Sequence, residues 1–160
     1  GLLRKRRAEF IGLLRDMDNK VELGLKAVWK DMGAVFREVV RGNDGIKRLK
    51  EKIESGPKGK AYLDRINLGK MVETALKEKK EAEAEAILSG LREISFDIRA
   101  NKVHGDGMIL NAAFLVDRVN AREFDDRVEE LHGKRNGDMT LRYVGPVPPF
   151  NFVNIVVDWN

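Results

Sequence analysis

Residues 94–116 read ISFDIRANKVHGDGMILNAAFLV, and the alternation in this stretch decides the fold. Ile94, Phe96, Ile98 and Ala100 interleave with Ser95, Asp97, Arg99 and Asn101. After the turn-forming His104-Gly105-Asp106-Gly107, the set Met108, Leu110, Ala112, Phe114 and Val116 repeats the same two-residue period. A period of two places successive side chains on opposite faces of a strand, and a glycine-rich break between two such runs predicts an antiparallel hairpin.

On its N-terminal side the hairpin is preceded by Tyr62 to Leu91, a stretch rich in Ala, Glu, Lys and Leu with almost no helix breakers. This predicts one long helix over about residues 60–91, which at 1.5 Å per residue would reach ~45 Å, with Gly69 and Gly90 as the places where it would bend or end. Ser55-Gly56-Pro57-Lys58-Gly59 separates it from a shorter helix carrying Ile46, Leu49 and Ile53. Gly42-Asn43-Asp44-Gly45 separates that one from a helix striped by Met32, Val35, Phe36 and Val39. Val21, Leu23, Leu25, Ala27 and Trp29 then alternate with Glu22, Gly24, Lys26 and Val28, which is the period of another half-buried strand. Leu2 to Leu14, with Arg4 to Arg7 crowded on one turn, reads as an amphipathic helix that Asp16 to Lys20 ends.

On its C-terminal side, Asn120 is placed to cap a helix from Ala121 to His132 with Phe124, Val128 and Leu131 inward, and Gly133 to Asp138 reads as the loop leaving it. Met139, Leu141 and Tyr143 make a fourth strand. Gly145, Pro146, Pro148 and Pro149 follow, and then Phe152 to Trp159 alternates as an additional edge strand. The order of elements predicts an α+β fold, a ferredoxin-like βαββαβ antiparallel sheet with an enlarged helical crossover and a C-terminal proline-rich extension. Leu23, Leu25, Ile98, Leu110, Ala112, Phe114 and Leu141 are expected on the face that meets the helices. The chain opens on Gly1 inside a helical pattern, so residues 1–19 are expected to continue from an absent N-terminal domain, with residues 20–160 as the α+β domain.

Composition narrows the function classes. The 160 residues are 42% hydrophobic and 35% charged, enough for one core, and no apolar run approaches the ~20 residues a membrane span requires. Zero cysteines exclude disulfides and thiolate chemistry and suit a reducing cytoplasm. The 30 basic residues are mixed with 26 acidic ones, so a net charge of +4 argues solubility and not nucleic-acid binding.

A search for reactive constellations finds none that points to an enzyme. His104 and His132 fall on a turn and at a helix end, without a neighbouring His or Cys at ligand spacing. Ser55-Gly56-Pro57-Lys58-Gly59-Lys60 is the nearest approach to a phosphate cradle, but Pro57 removes a donor and Ala61 stands where a hydroxyl would be needed. The carboxylates of Glu78 to Glu85 and of Glu129-Glu130 lie on polar helix faces, away from any apolar wall that would raise a pKa for acid catalysis. No cofactor and no metal are expected. An RNA-binding module of RNA-recognition topology is the alternative reading. Such domains place aromatic side chains on the open faces of the two central strands, where this sequence has Ile109, Asn111 and Ala113 on one and Glu22, Gly24 and Lys26 on the other.

Four blocks in order resemble the GvpF/GvpL family of gas-vesicle proteins. Val21-Glu22-Leu23-Gly24-Leu25-Lys26-Ala27-Val28-Trp29 is similar to the family's strand Val-Glu-Leu-Gly-Val-Lys-x-x-Trp, and Gly59-Lys60-Ala61-Tyr62-Leu63 to the Gly-x-Ala-Tyr-Leu that opens its long helix. Leu110 to Arg118 is similar to its Leu-Asn-x-Ala-Phe-Leu-Val-Asp strand. Leu141 to Val153 resembles its C-terminal strand followed by Gly-Pro-Trp-Pro-Pro-Tyr-x-Phe, with Val147 at the Trp position and Phe150 at the Tyr position.

The resemblance implies an assembly factor of the cytoplasm and the gas vesicle that binds the vesicle shell protein or another accessory protein. It implies neither an enzyme nor a membrane protein. Two surfaces are the candidates for that binding. One is the helix-free sheet face with Glu22, Lys26, Asn111 and Arg142. The other is the C-terminal elbow with Phe150, Phe152 and Trp159, stiffened by Pro146, Pro148 and Pro149, whose fixed φ angles hold an extended path away from Gly145. Phe150 and Phe152 are expected to fold back as apolar anchors.

Overall fold

A computed structural model describes residues 1–153. In chain order it contains α1 (Leu2–Met17), β1 (Lys20–Trp29), α2 (Met32–Arg41), α3 (Asp44–Ser55), α4 (Tyr62–Arg92), β2 (Asp97–Ala100), β3 (Met108–Asp117), α5 (Ala121–Arg135) and β4 (Met139–Val147). Short 3-10 turns at Arg118–Asn120 and Phe150–Phe152 complete it. The fold is α+β, with the four strands in the order β2-β3-β1-β4 and all three pairings antiparallel.

The long α2-α3-α4 crossover carries the chain over β3, because β1 and β2 run in the same direction with β3 between them. The core lies between the sheet and this helical layer. Leu23, Leu25, Leu110, Ala112 and Phe114 are buried there, and Ile98 and Leu141 pack against its edge. From the helices come Val35 and Val39 of α2, Ile46 of α3, Leu76, Ile87 and Leu91 of α4, and Phe124 and Val128 of α5. Phe124 meets Phe114 edge-on at 5.0 Å between ring centroids. On its other side it stacks on Tyr143, whose hydroxyl donates to Asp125. Burial first, and then that hydrogen bond, push the Tyr143 phenol well above its ordinary range.

Local chemistry sets the boundaries. Asp31 and Asn43 accept hydrogen bonds from the backbone amides of Ala34 (3.0 Å) and Ile46 (3.1 Å), which fixes the starts of α2 and α3 and narrows the break between them to Gly42-Asn43. Asn120 occupies the position before α5 but makes no side-chain capping bond, and α5 runs through Gly133 to Arg135 where a loop is expected from the sequence. The second strand is shorter than its alternation suggests. Only Asp97–Ala100 pairs, and Phe96 stands 62% exposed with the Lys20 ammonium 4.4 Å from its ring centroid. Ile109, expected on the open face, is buried in the main core, because a register shift opposite Ala27/Val28 inserts it as an extra residue. Of the additional edge strand expected from Phe152 to Trp159, Phe152 closes a 3-10 turn and residues 154–160 lie outside the described residues.

Helix α4 passes through both Gly69 and Gly90. A Cβ added at Gly69 would meet nothing within 4 Å, so Gly69→Ala removes backbone freedom from the unfolded chain without a steric cost. The expected result is a gain of about 0.5–1 kcal/mol in urea unfolding. A loss of stability would mean that the helix bends at this point.

Candidate functional site

Paired residues of an antiparallel sheet share a face, so the register lays out the open side of this sheet in rows. The first row holds Asp97, Leu115, Glu22 and Val147, the second Arg99, Ala113, Gly24 and Val144, and the third Asn111, Lys26 and Arg142. Gly24 allows Val144 to lie across the strand, since a Cβ there would come to 2.8 Å from Val144 Cγ2.

The proline elbow covers Leu115 and Glu22 of the first row and Ala113 and Arg99 of the second. Gly145 turns the end of β4 with φ of 111°, the peptide to Pro146 is cis, and Pro146-Val147-Pro148-Pro149 leads into the Phe150–Phe152 turn. That turn is fastened to the sheet at three points. The Glu22 carboxylate accepts from the Asn151 amide at 2.9 Å and from its side-chain Nδ2. Arg99 donates to the Asn151 carbonyl at 2.6 Å, with its guanidinium 5.2 Å from the centre of the Phe152 ring. Phe152 is buried in a small second core with Ala113, Leu115 and the edge of Met17. Glu22 is thereby 5% exposed yet fully bonded, as a buried carboxylate must be.

The seven residues singled out from the sequence therefore separate. Glu22 and Phe152 are used inside the molecule. Asn111 is half-buried and donates from Nδ2 to the Lys102 carbonyl at 3.0 Å, which holds the hairpin loop. Lys26, Arg142 and Phe150 are exposed, and Trp159 lies outside the described residues. Phe150, expected with Phe152 to fold back as an apolar anchor, is instead 73% exposed.

Two features escaped the sequence reading. Arg99 is half of the latch, and only its strand position hinted at a role. The other is the apolar groove of about 570 Å³ between the elbow and α1, lined by Phe10, Leu13, Leu14, Pro149, Phe150 and Val153 among others. Helix α1 leaves Leu3, Phe10, Ile11 and Leu14 exposed, as the amphipathic stripe in its sequence allows.

Another concave surface is a cleft of about 270 Å³ between α2, α4 and α5. Its charges neutralise one another, with Arg135 2.6 Å from Glu83 and Lys79 within 3.7 Å of Glu83 and 3.2 Å of Glu38. Among the described residues no group of three or more His, Asp or Glu side chains is gathered as a metal site requires. The carboxylates with displaced protonation, Glu85 and Glu130, are held below their usual range by hydrogen bonds from Arg92 and Lys134 on exposed helix surfaces. That direction is opposite to the one acid catalysis needs. The exposed part of the sheet carries no aromatic residue of β1 or β3 for base stacking, and Phe152 occupies the covered part. No helix of the described residues is long and apolar enough to cross a membrane.

The class defined by these features is an α+β protein with four helices, α2 to α5, layered on one sheet face and a proline elbow latched across part of the other. The same overall fold recurs in solved structures of gas vesicle protein F. That of Anabaena sp. PCC7120 superimposes with a TM-score of 0.86 at 22% identity, over 98% of this chain and 63% of that one. That of Microcystis aeruginosa gives 0.78 at 19% identity, over 96% and 62%. By sequence, gas vesicle protein F of a Streptomyces is 30% identical over 95% of this chain and 62% of its own length, and that of a Nostoc 23% identical over 96% and 62%. The chain belongs to the gas vesicle synthesis protein GvpL/GvpF family, whose pattern it matches over residues 1–154. It spans about 62% of the length of these relatives.

Proposed function

We propose that this chain serves gas-vesicle assembly by binding a protein partner, the vesicle shell protein or a fellow accessory protein, on the uncovered part of its sheet. One observation carries this reading. Lys26 and Arg142 stand directly opposite one another in register, and neither their row nor the two adjacent rows contain a carboxylate. Like charges placed opposite in a sheet are destabilising. Among the described residues neither cation has an ion-pair partner, whereas Glu22 and Arg99 on the same face are both engaged by the elbow. An uncompensated pair of cations on a flat surface is suited to an acidic patch from outside the molecule. The exposed Val144 in the adjacent row supplies apolar contact of the kind such interfaces require. Family membership supports a gas-vesicle setting, cytoplasmic in this reading, and the reading needs no cofactor, metal or catalytic group.

The test is Lys26→Glu combined with Arg142→Glu, assayed by pull-down with the shell protein and, separately, with the other vesicle gene products. Capture is expected to fall by at least about tenfold, while far-ultraviolet circular dichroism stays native, because both side chains project from the fold. Capture that persists at native helicity would remove the sheet face from the interface. Binding of RNA by the unmutated chain, falling steeply between low and moderate salt, would favour a nucleic-acid function instead.

A further inference from the structure

On the helical side of the molecule, away from the open sheet face, α2 and α3 enclose a groove of about 490 Å³ lined by Phe36, Arg37, Val40, Arg41, Lys47 and Lys50. We propose that this groove docks an acidic amphipathic helix of a protein partner, at a site independent of the sheet face. Val35 and Val39 turn α2 toward the core, which leaves Phe36 and Val40, four residues apart, stacked along its outer flank as an apolar floor. Phe36 is 37% exposed and Val40 half-buried, so the floor is open to a visitor but anchored to the fold.

The rim of the groove is entirely cationic. Arg37 and Arg41 are four residues apart on α2, a like-charge spacing that costs helix stability, and Lys47 and Lys50 face them from α3. No carboxylate lines the groove. Arg37 and Lys50 have only long, solvent-exposed contacts of 3.8 Å with Asp31 and Glu54, and Arg41 and Lys47 have no ion pair among the described residues. Five cations of α4 and α5 differ in this respect. Lys79, Arg92, Arg127, Lys134 and Arg135 all hold carboxylates.

Two complementary features identify the occupant. The rim calls for negative charge, and the floor calls for apolar side chains. A polyanion such as RNA would satisfy the first and leave Phe36 and Val40 wet. A helix with an apolar stripe flanked by Glu or Asp satisfies both, by the groove mode in which anchors recur at i, i+3, i+4 and i+7. Because α2 and α3 lie on the far side of the sheet from Lys26 and Arg142, one chain would be able to hold two partners at once.

The probe is a fluorescent synthetic peptide with leucines at those anchor spacings and glutamates on both flanks, titrated against the full chain by anisotropy. Saturable binding is expected that weakens with salt, falls at least about tenfold in Arg41→Glu/Lys47→Glu, falls severalfold in Phe36→Ala, and is unchanged in Lys26→Glu/Arg142→Glu. Circular dichroism of each variant shows that the fold is kept. The proposal is overturned if the acidic peptide does not bind, or if its scrambled-order or lysine-flanked versions bind equally well. It is also overturned if a single-stranded oligonucleotide or phosphatidylserine vesicles bind the groove in a way that Phe36→Ala leaves intact.

Discussion

Phe114→Ala is expected to cost about 3–5 kcal/mol in equilibrium unfolding, and to lower the thermal midpoint by something on the order of 10 °C. Phe114 is fully buried at the centre of β3, a central strand paired on both sides with β1 and β2. Its ring fills the space between the sheet and α5, with Phe124 edge-on at 5.0 Å and the Tyr143 ring beyond it. Removing it loses the transfer free energy of a benzyl group and leaves a cavity whose walls belong to three different elements, so no single movement closes it. Phe150→Ala, at a position 73% exposed, provides the control and is expected to change stability by less than about 0.5 kcal/mol. A Phe114→Ala cost under about 1 kcal/mol would mean that β3 carries its other face toward the helices.

That the side of β3 facing the helices was legible follows from the two-residue period itself. Polar Asn111 and the partners of Lys26 and Glu22 place the opposite parity outward, and Leu110, Ala112 and Phe114 then have one direction left. What the period concealed is that the outward parity is partly buried too. From Met108 to Val116 only Asn111 is polar, and a near-continuous apolar strand signals cover on both faces. The cover is the elbow, brought back across the sheet by contacts between residues more than a hundred positions apart, Glu22 with Asn151. No local pattern encodes such a contact. For this reason Glu22 looked like a surface charge beside Lys26, although the two differ completely in surroundings. Phe96 was misplaced by the reverse error. Its parity matches Ile98, but it lies just before the paired segment, exposed beneath the Lys20 ammonium, so the alternation outlasts the strand.

Gly145→Ala is expected to destabilise the chain by at least about 2 kcal/mol, although it adds one methyl group at an exposed residue. Two costs combine there. The backbone has φ of 111°, a region essentially reserved for glycine, and the added Cβ would stand 2.7 Å from the Glu22 carbonyl oxygen and 3.0 Å from Leu23 Cδ2. The oxygen belongs to the backbone of a central strand and cannot move aside without disturbing the sheet. The relief available is for the end of β4 and the elbow to lift away. That would strip Glu22 of both its Asn151 donors, leaving a carboxylate whose burial was tolerable only because it was bonded. Exposure of Phe152 would follow. If lifting is the route, Gly145→Ala and Phe152→Ala destroy the same structure, and their combined cost should fall clearly short of the sum. Gly59→Ala, where an added Cβ meets nothing within 4 Å, should differ from the parent by a few tenths of a kcal/mol. A Gly145→Ala variant as stable as that control, or one strictly additive with Phe152→Ala, would show that the elbow is not held to the sheet by this turn. The cover over Ala113 and Leu115 would then have to depend on Arg99 and Phe152 alone.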